Sequence, residues 1–218
     1  MSTLNTYDDL VVQVGSYLFG RTDLQTQVPV FVRLFEAKAN RSLFCRQMET
    51  RAVATVDLSG STPEFLDLPD DFQTMRRVRL LNGADPQKPK LRFATLQQID
   101  DLREANRSPG APVWFTLFAN EMEILPVPNF AYQLEMTYRI YLPPLGTVNE
   151  TNWLLGLAPD AYLYGALMEV APYLHNDERI PTWAQGVQAA FDGVNVLSEK
   201  ALYNAGPLTM RRKGRGYS

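Results

Sequence analysis

One histidine and one cysteine stand among 218 residues, and together they bound the chemistry open to this chain. His175 is followed by Asn176 and Asp177 at an expected helix end, where an imidazole serves as a solvated cap against the helix dipole. A general base needs a positioned partner, and the sequence identifies none for His175. Cys45 closes an amphipathic stretch and reads as a small apolar packing residue; as a nucleophile it would need His175 within reach. A single cysteine excludes an intrachain disulfide and a cysteine-rich metal site. The carboxylate pairs Asp8-Asp9, Asp70-Asp71, Asp100-Asp101 and Asp177-Glu178 have the composition of a glycosidase acid–nucleophile couple. Each falls at an expected helix start, turn or exposed helix face, where paired acids are ordinary. There is no phosphate-cradling glycine motif and no serine elbow. The expectation is a protein without catalytic residues, metal or cofactor, and a hydrolase built on His175 or a carboxylate pair is the weaker rival.

Cations form the second chemical signal. Arg76, Arg77 and Arg79 share one short stretch, with Arg92 and Arg103 further on and Asp70, Asp71 and Asp85 nearby. These arginines read as a solvated or subunit-facing sheet surface. The alternative is a monomeric nucleic-acid-binding module using Arg76, Arg77, Arg79 and the C-terminal tail. That tail carries Arg211, Arg212, Lys213 and Arg215 with no acid, so residues 205–218 contribute +4 to a formal net charge of -3 and residues 1–204 hold -7. An acidic body does not offer the clustered cationic footprint that coating nucleic acid requires. Pro207, Leu208, Met210 and Tyr217 add apolar anchors to the tail, which therefore reads as an extended segment that docks on a partner.

The elements that must carry these residues follow from periodicity. Thr6 with Asp9 makes a weak capping box for a helix lined by Leu10, Val11, Val14, Tyr17 and Leu18, with Gly20 placed to end it. A second helix begins near Thr26, tolerates Pro29 in its first turn, and buries Val28, Phe31, Val32, Phe35, Ala39 and Leu43. From about residue 50 the period shortens to two. Strands are expected over 52–58, 65–68, 74–81, 90–93, 113–118, 121–125 and 132–142, interrupted by a helix over 95–106 with Thr95 as its cap. The clearest strand sets Leu134, Met136, Tyr138, Ile140 and Leu142 against Glu135, Thr137 and Arg139, so one side is buried and the other wet. From Pro159 to Leu174 the chain is apolar on almost every face, which demands protein or lipid on all sides. The run is too short for a bilayer, which needs about 20 apolar residues, so protein surrounds it. Pro181 opens a last helix whose inward stripe is Trp183, Val187, Ala190, Phe191, Val194, Leu197 and Ala201. Gly15, Gly186 and Gly193 fall inside expected helices and weaken them by about 1 kcal/mol each relative to alanine.

The order is helices, strands, helices. The expected class is α+β: a helical bundle built from both ends of the chain, with an inserted antiparallel β domain. The boundaries are 1–48 for the first part of the bundle, 49–150 for the β-rich domain, 151–204 for the second part of the bundle, and 205–218 for the basic tail. The N-terminus MSTLNTYDD has neither the basic region nor the apolar core of a signal peptide, so synthesis in a reducing cytoplasm is expected.

Several stretches carry a resemblance. They are Gln47-Met48-Glu49-Thr50-Arg51-Ala52, Leu68-Pro69-Asp70-Asp71-Phe72, Thr151-Asn152-Trp153-Leu154-Leu155, and Pro159-Asp160-Ala161-Tyr162-Leu163-Tyr164-Gly165-Ala166-Leu167. Glu169, Ala171-Pro172-Tyr173-Leu174 and Asp177-Glu178-Arg179 follow, ahead of Trp183. In this order, over nearly the whole chain, they resemble the head-to-tail adaptor (connector) proteins of short-tailed bacteriophages. The resemblance implies a structural, non-enzymatic virion protein at the capsid–tail junction, assembled in the host bacterial cytoplasm without contact with a membrane. It implies a ring, expected to be a dodecamer, whose partners are the portal protein, tail nozzle or fibre proteins, and genomic DNA passing through the lumen. Portal docking would fall to Pro207, Leu208, Met210, Arg211, Arg212, Lys213, Arg215 and Tyr217. Contacts between subunits would draw on the aromatic residues Trp153, Tyr162, Tyr164 and Tyr173.

Overall fold

The computed structural model describes residues 4–18, 21–60, 62–82, 90–105, 108–174 and 177–203. The tail from Pro207 to Tyr217, His175 and the expected helix stop at Gly20 lie outside these residues. Among the described residues there are seven α-helices and two sheets, an α+β fold. The chain divides into two compact units, Met1–Arg46 with Leu142–Ser218, and Gln47–Tyr141.

The first unit is helical. Helix α1 (Tyr7–Ser16) starts from a complete capping box: Thr6 Oγ1 accepts from the Asp9 amide, and the Asp9 carboxylate accepts from the Thr6 amide, each at 3.2 Å. A short α2 (Thr22–Gln25) precedes α3 (Val28–Ser42), which holds Pro29 in its first turn and buries Val28, Phe31, Val32, Phe35 and Ala39. Asn152 caps α5 (Trp153–Leu157), and its Oδ1 accepts from the Leu155 amide at 2.9 Å. Helix α6 (Pro159–Val170) begins on proline and packs against α1, α3, α5 and α7 (Ile180–Tyr203). Its all-round apolarity is thus answered within the unit. At Pro172, which has no amide hydrogen to donate, the α-helical bonding gives way to a 3₁₀ turn over Ala171–Leu174.

Two glycines of this unit are close-approach sites. A Cβ on Gly165 of α6 would lie 2.0 Å from the Phe35 ring of α3, and one on Gly186 of α7 would lie 2.6 Å from the Tyr164 ring of α6. Helical propensity at Gly186 is given up for interhelical contact. On α7 the buried stripe runs Trp183, Val187, Phe191, Val194 and Ser198, whereas Leu197 and Ala201 are exposed. The expected stripe drifts off the core after Val194 because Ser198 turns inward and donates nothing apolar; its hydroxyl oxygen accepts from the Arg46 amide at 2.8 Å.

The second unit is a sandwich with a helix on one side. One sheet has the order β1 (Glu49–Thr55), β7 (Gln133–Ile140), β3 (Phe72–Leu80), all antiparallel. The other has the order β2 (Phe65–Asp67), β6 (Glu121–Leu125), β5 (Trp114–Phe118), β4 (Arg92–Phe93). Their facing sides form one core that includes Val78, Leu80, Leu134, Met136 and Tyr138 from the first sheet and Leu66, Phe115, Met122 and Ile124 from the second. The sheets are not wholly antiparallel, because β4 pairs with β5 in parallel. A parallel pair needs a crossover connection, and α4 (Leu96–Ala105) supplies it, capped by Thr95. Ile99 and Leu102 of α4 pack on Leu125 and Trp114, on the side of the second sheet turned away from the sandwich core. The layers are therefore the three-stranded sheet, the four-stranded sheet and α4. No helix among the described residues is long and apolar enough to cross a membrane.

Candidate functional site

The aromatic residues expected at subunit contacts do not share one surface. Tyr162 is fully buried, edge-on to Phe35 at 5.1 Å between ring centroids, so its ring fills this chain's own core instead of meeting a neighbour. Tyr164 is half-buried against Gly186. Trp153 is half-buried, and its indole Nε1 finds no acceptor among the described residues. Only Tyr173 is well exposed, its ring tilted against Phe31 at 5.3 Å. Exposed apolar side chains come instead from α3, where Val30 and Leu34 are 50% and 45% accessible on the side away from the helix's buried stripe.

Behind these residues lies a buried polar network that periodicity alone would have placed in the core. Glu36 sits four residues after Val32 and three before Ala39, on the stripe of α3. Its Oε1 accepts from the Leu145 amide at 2.7 Å and from the Tyr162 hydroxyl at 3.1 Å. The Asn152 amide nitrogen donates to the Tyr162 oxygen at 2.6 Å and to the Pro143 carbonyl at 2.8 Å. Burial pushes the Glu36 carboxyl above the usual carboxylate range, against the opposing pull of its two donors and of Arg33. Burial and the adjoining Glu36 also raise the Tyr162 hydroxyl far above its ordinary value. The network ties residues 142–152 to the helices; the Asn40 side chain accepts from the Leu142 amide at 2.7 Å, and the Glu150 carbonyl from the Tyr7 amide at 2.8 Å. The segment between β7 and α5 therefore belongs to the helical unit.

The basic strand also departs from a simple cationic face. A register shift between Met75 and Arg77 sets Arg76 outside the regular ladder, and its Nε donates to Glu49 at 3.0 Å. Arg79 and Arg51 pair with Glu135 at 2.7 and 3.1 Å, and Arg77 lies 3.6 Å from the same carboxylate. The hydrogen bond from Arg79 holds the Glu135 carboxyl below the usual range, with Arg51 and Arg77 adding to it. Arg103 is paired with Glu123, and the Arg92 guanidinium lies 5.3 Å from the centroid of Trp114. Each of the five arginines singled out in the sequence is thus already engaged by a carboxylate or an aromatic ring. Arg51 and Glu135 were the members sequence reasoning missed; their signal was the wet face of the strand alternation.

Asp8 and Asp9 stand in the first turn of α1, Asp100 and Asp101 on α4, and Asp71 accepts from the Tyr138 hydroxyl at 3.0 Å. Burial and that bond push Tyr138 up to about 12. Cys45 is buried. Among the described residues no three His, Cys, Asp or Glu side chains are grouped to hold a metal ion.

What the geometry presents is a set of packing and pairing surfaces, and comparison with known families agrees with a structural reading. No curated protein matches the chain. A family model described as SU10 adaptor protein matches residues 5–211. That match spans both units, and the chain belongs to this family of phage head-to-tail adaptors.

Proposed function

We propose that this protein forms a ring, of twelve copies, beneath the portal of a tailed bacteriophage, where it extends the DNA channel and joins the capsid to the tail. The observation that carries the reading is the family match over residues 5–211. The exposed Val30 and Leu34 on α3 and the exposed Tyr173 support it, since a ring subunit presents apolar surface that a lone copy leaves wet. Cyclic rings use heterologous contacts, so two different surfaces of one chain meet. The basic residues from Arg211 to Arg215, flanked by Pro207, Leu208, Met210 and Tyr217, are the segment proposed to dock on the portal. The -7 carried by residues 1–204 would keep DNA from adhering to the channel wall, since like charges repel.

The reading is tested with phage particles grown without this protein. Filled heads lacking tails, converted to infectious particles by adding the purified full-length chain, are the expected result. Tailed, infectious particles made in its absence would overturn the proposal. Salt-dependent duplex binding by the isolated chain would instead favour the nucleic-acid module.

A further inference from the structure

The second unit carries opposite charges on its two outer sides. On the side of the three-stranded sheet turned away from the core, Arg51, Arg77 and Arg79 converge on one carboxylate, Glu135. The arginine side chains keep 66%, 45% and 39% of their surface in solvent, while Glu135 keeps 2%. One acid thus fixes three guanidinium groups in place and leaves two positive charges in excess, presented as forks that bind carboxylates bidentately. Val53 and Leu81 are exposed beside them, Val53 directly opposite Glu135 in the β1–β7 register.

On the far side of the unit, α4 turns Ile99 and Leu102 inward and spends Arg103 on Glu123 of β6. Its remaining charges, Asp100, Asp101 and Glu104, are all exposed. Beside them, Leu96 is 53% accessible, a shallow cavity of about 380 Å³ opens by Asp101, Leu102 and Trp114, and Arg92 of β4 lies on the same side against the Trp114 ring.

We infer that the arginine face of one copy docks on the acidic α4 face of the next, so that this unit supplies a head-to-tail contact of the ring. The inference rests on the ring reading above and names the surfaces that would close it. Charge complementarity decides for a second copy: an excess of two cations is a small footprint for a phosphate backbone on an acidic body, and both faces have apolar side chains at their margins. Because the faces lie on opposite sides of a three-layer unit, each copy can use both at once, as a heterologous contact requires.

The experiment uses full-length chains mixed with the cognate portal ring, with assembly followed by sedimentation at about 50 mM salt, where exposed charges are weakly screened. One variant carries Asp100→Lys and Glu104→Lys, and a second carries Arg51→Glu and Arg77→Glu, leaving Arg79 on Glu135. Circular dichroism confirms that each variant is folded. The α4 variant alone is expected to raise the concentration for half assembly by at least about tenfold. Mixing the two variants is expected to restore assembly, because each then meets a neighbour of opposite sign. An α4 variant that assembles like the wild type overturns this contact while leaving the ring intact. A wild-type chain that adds no ring to the portal overturns the ring reading itself. Loss of duplex DNA binding in the arginine variant, with assembly unchanged in both, makes DNA the occupant and overturns the contact.

Discussion

Alanine at Gly165 should destabilise this protein, although a helical glycine-to-alanine change ordinarily adds about 1 kcal/mol. The new methyl carbon would sit 2.0 Å from the Phe35 ring, whereas carbon atoms in contact prefer about 3.5 Å or more. Ring or helix must therefore yield by about 1.5 Å. Phe35 has little room to do so: it is 1% accessible and is packed against the rings of Tyr162 and Phe191 at 5.1 and 6.0 Å. Overpacking of this kind costs about 3 kcal/mol at the upper end of its common range, and subtracting the gain in helix propensity leaves about 2 kcal/mol lost. In a chain of this size that lowers the melting temperature by about 4–8 °C. Gly193 is the control. It stands in the interior of α7 with nothing within 4 Å of a built Cβ, so Gly193→Ala should gain about 1 kcal/mol and raise the melting temperature by about 2–4 °C. Thermal melts followed by circular dichroism read both. Combining Gly165→Ala with Phe35→Leu should cost less than the sum of the two, since the smaller side chain makes room for the methyl. A Gly165→Ala protein as stable as the wild type would refute the close packing of α3 on α6.

The other predictions concern polar groups and one turn. Glu36 has a folded-state carboxyl pKa raised by burial, so the folded form binds its proton more tightly than the unfolded form, and stability drawn from it fades as pH rises above the ordinary carboxylate range. Glu36→Gln should therefore gain stability relative to the wild type as pH is raised, in paired denaturant titrations; a pH-independent difference would contradict the assignment. Asn152→Ala removes the cap of α5 and the donor to Tyr162 and Pro143, and should cost about 2 kcal/mol in the same titrations. Ala119, in the two-residue turn between β5 and β6, has a φ of 48°, so Ala119→Gly should gain about 1 kcal/mol by relieving left-handed backbone; a loss would show that the turn is not held there.

Much of the architecture was legible because hydrophobic spacing is a local signal. The alternation through Leu134, Met136 and Tyr138 marked the central strand β7, and the apolarity of Ala161 through Met168 marked the helix that others surround. Thr6, Thr95, Pro159 and Pro181 stand at helix starts for reasons confined to a single turn. What escaped was decided across space. Glu36 lies on an apolar stripe because Leu145 and Tyr162, 109 and 126 residues away, supply donors. The place of Arg76 depends on a register shift, and the parallel pairing of β4 with β5 depends on where α4 returns the chain. The spacing of Leu197 from Val194 suits the core, yet Ser198 takes that place, its hydroxyl oxygen accepting from the Arg46 amide. Tyr162, expected at a subunit contact, lies in the interior, where Gly165 lets its helix pack closely on Phe35. The arginine cluster was visible in part, but its common carboxylate belongs to a strand 56 residues further along the chain from Arg79.

A ring on the portal would show in the mass of the complex formed when the cognate portal ring is mixed with the full-length chain and, separately, with a chain ending at Asn204. The full-length chain is expected to add a ring's worth of subunits, and the truncated chain is not. Binding by both would place the portal contact outside the tail, and binding by neither would contradict the adaptor ring itself.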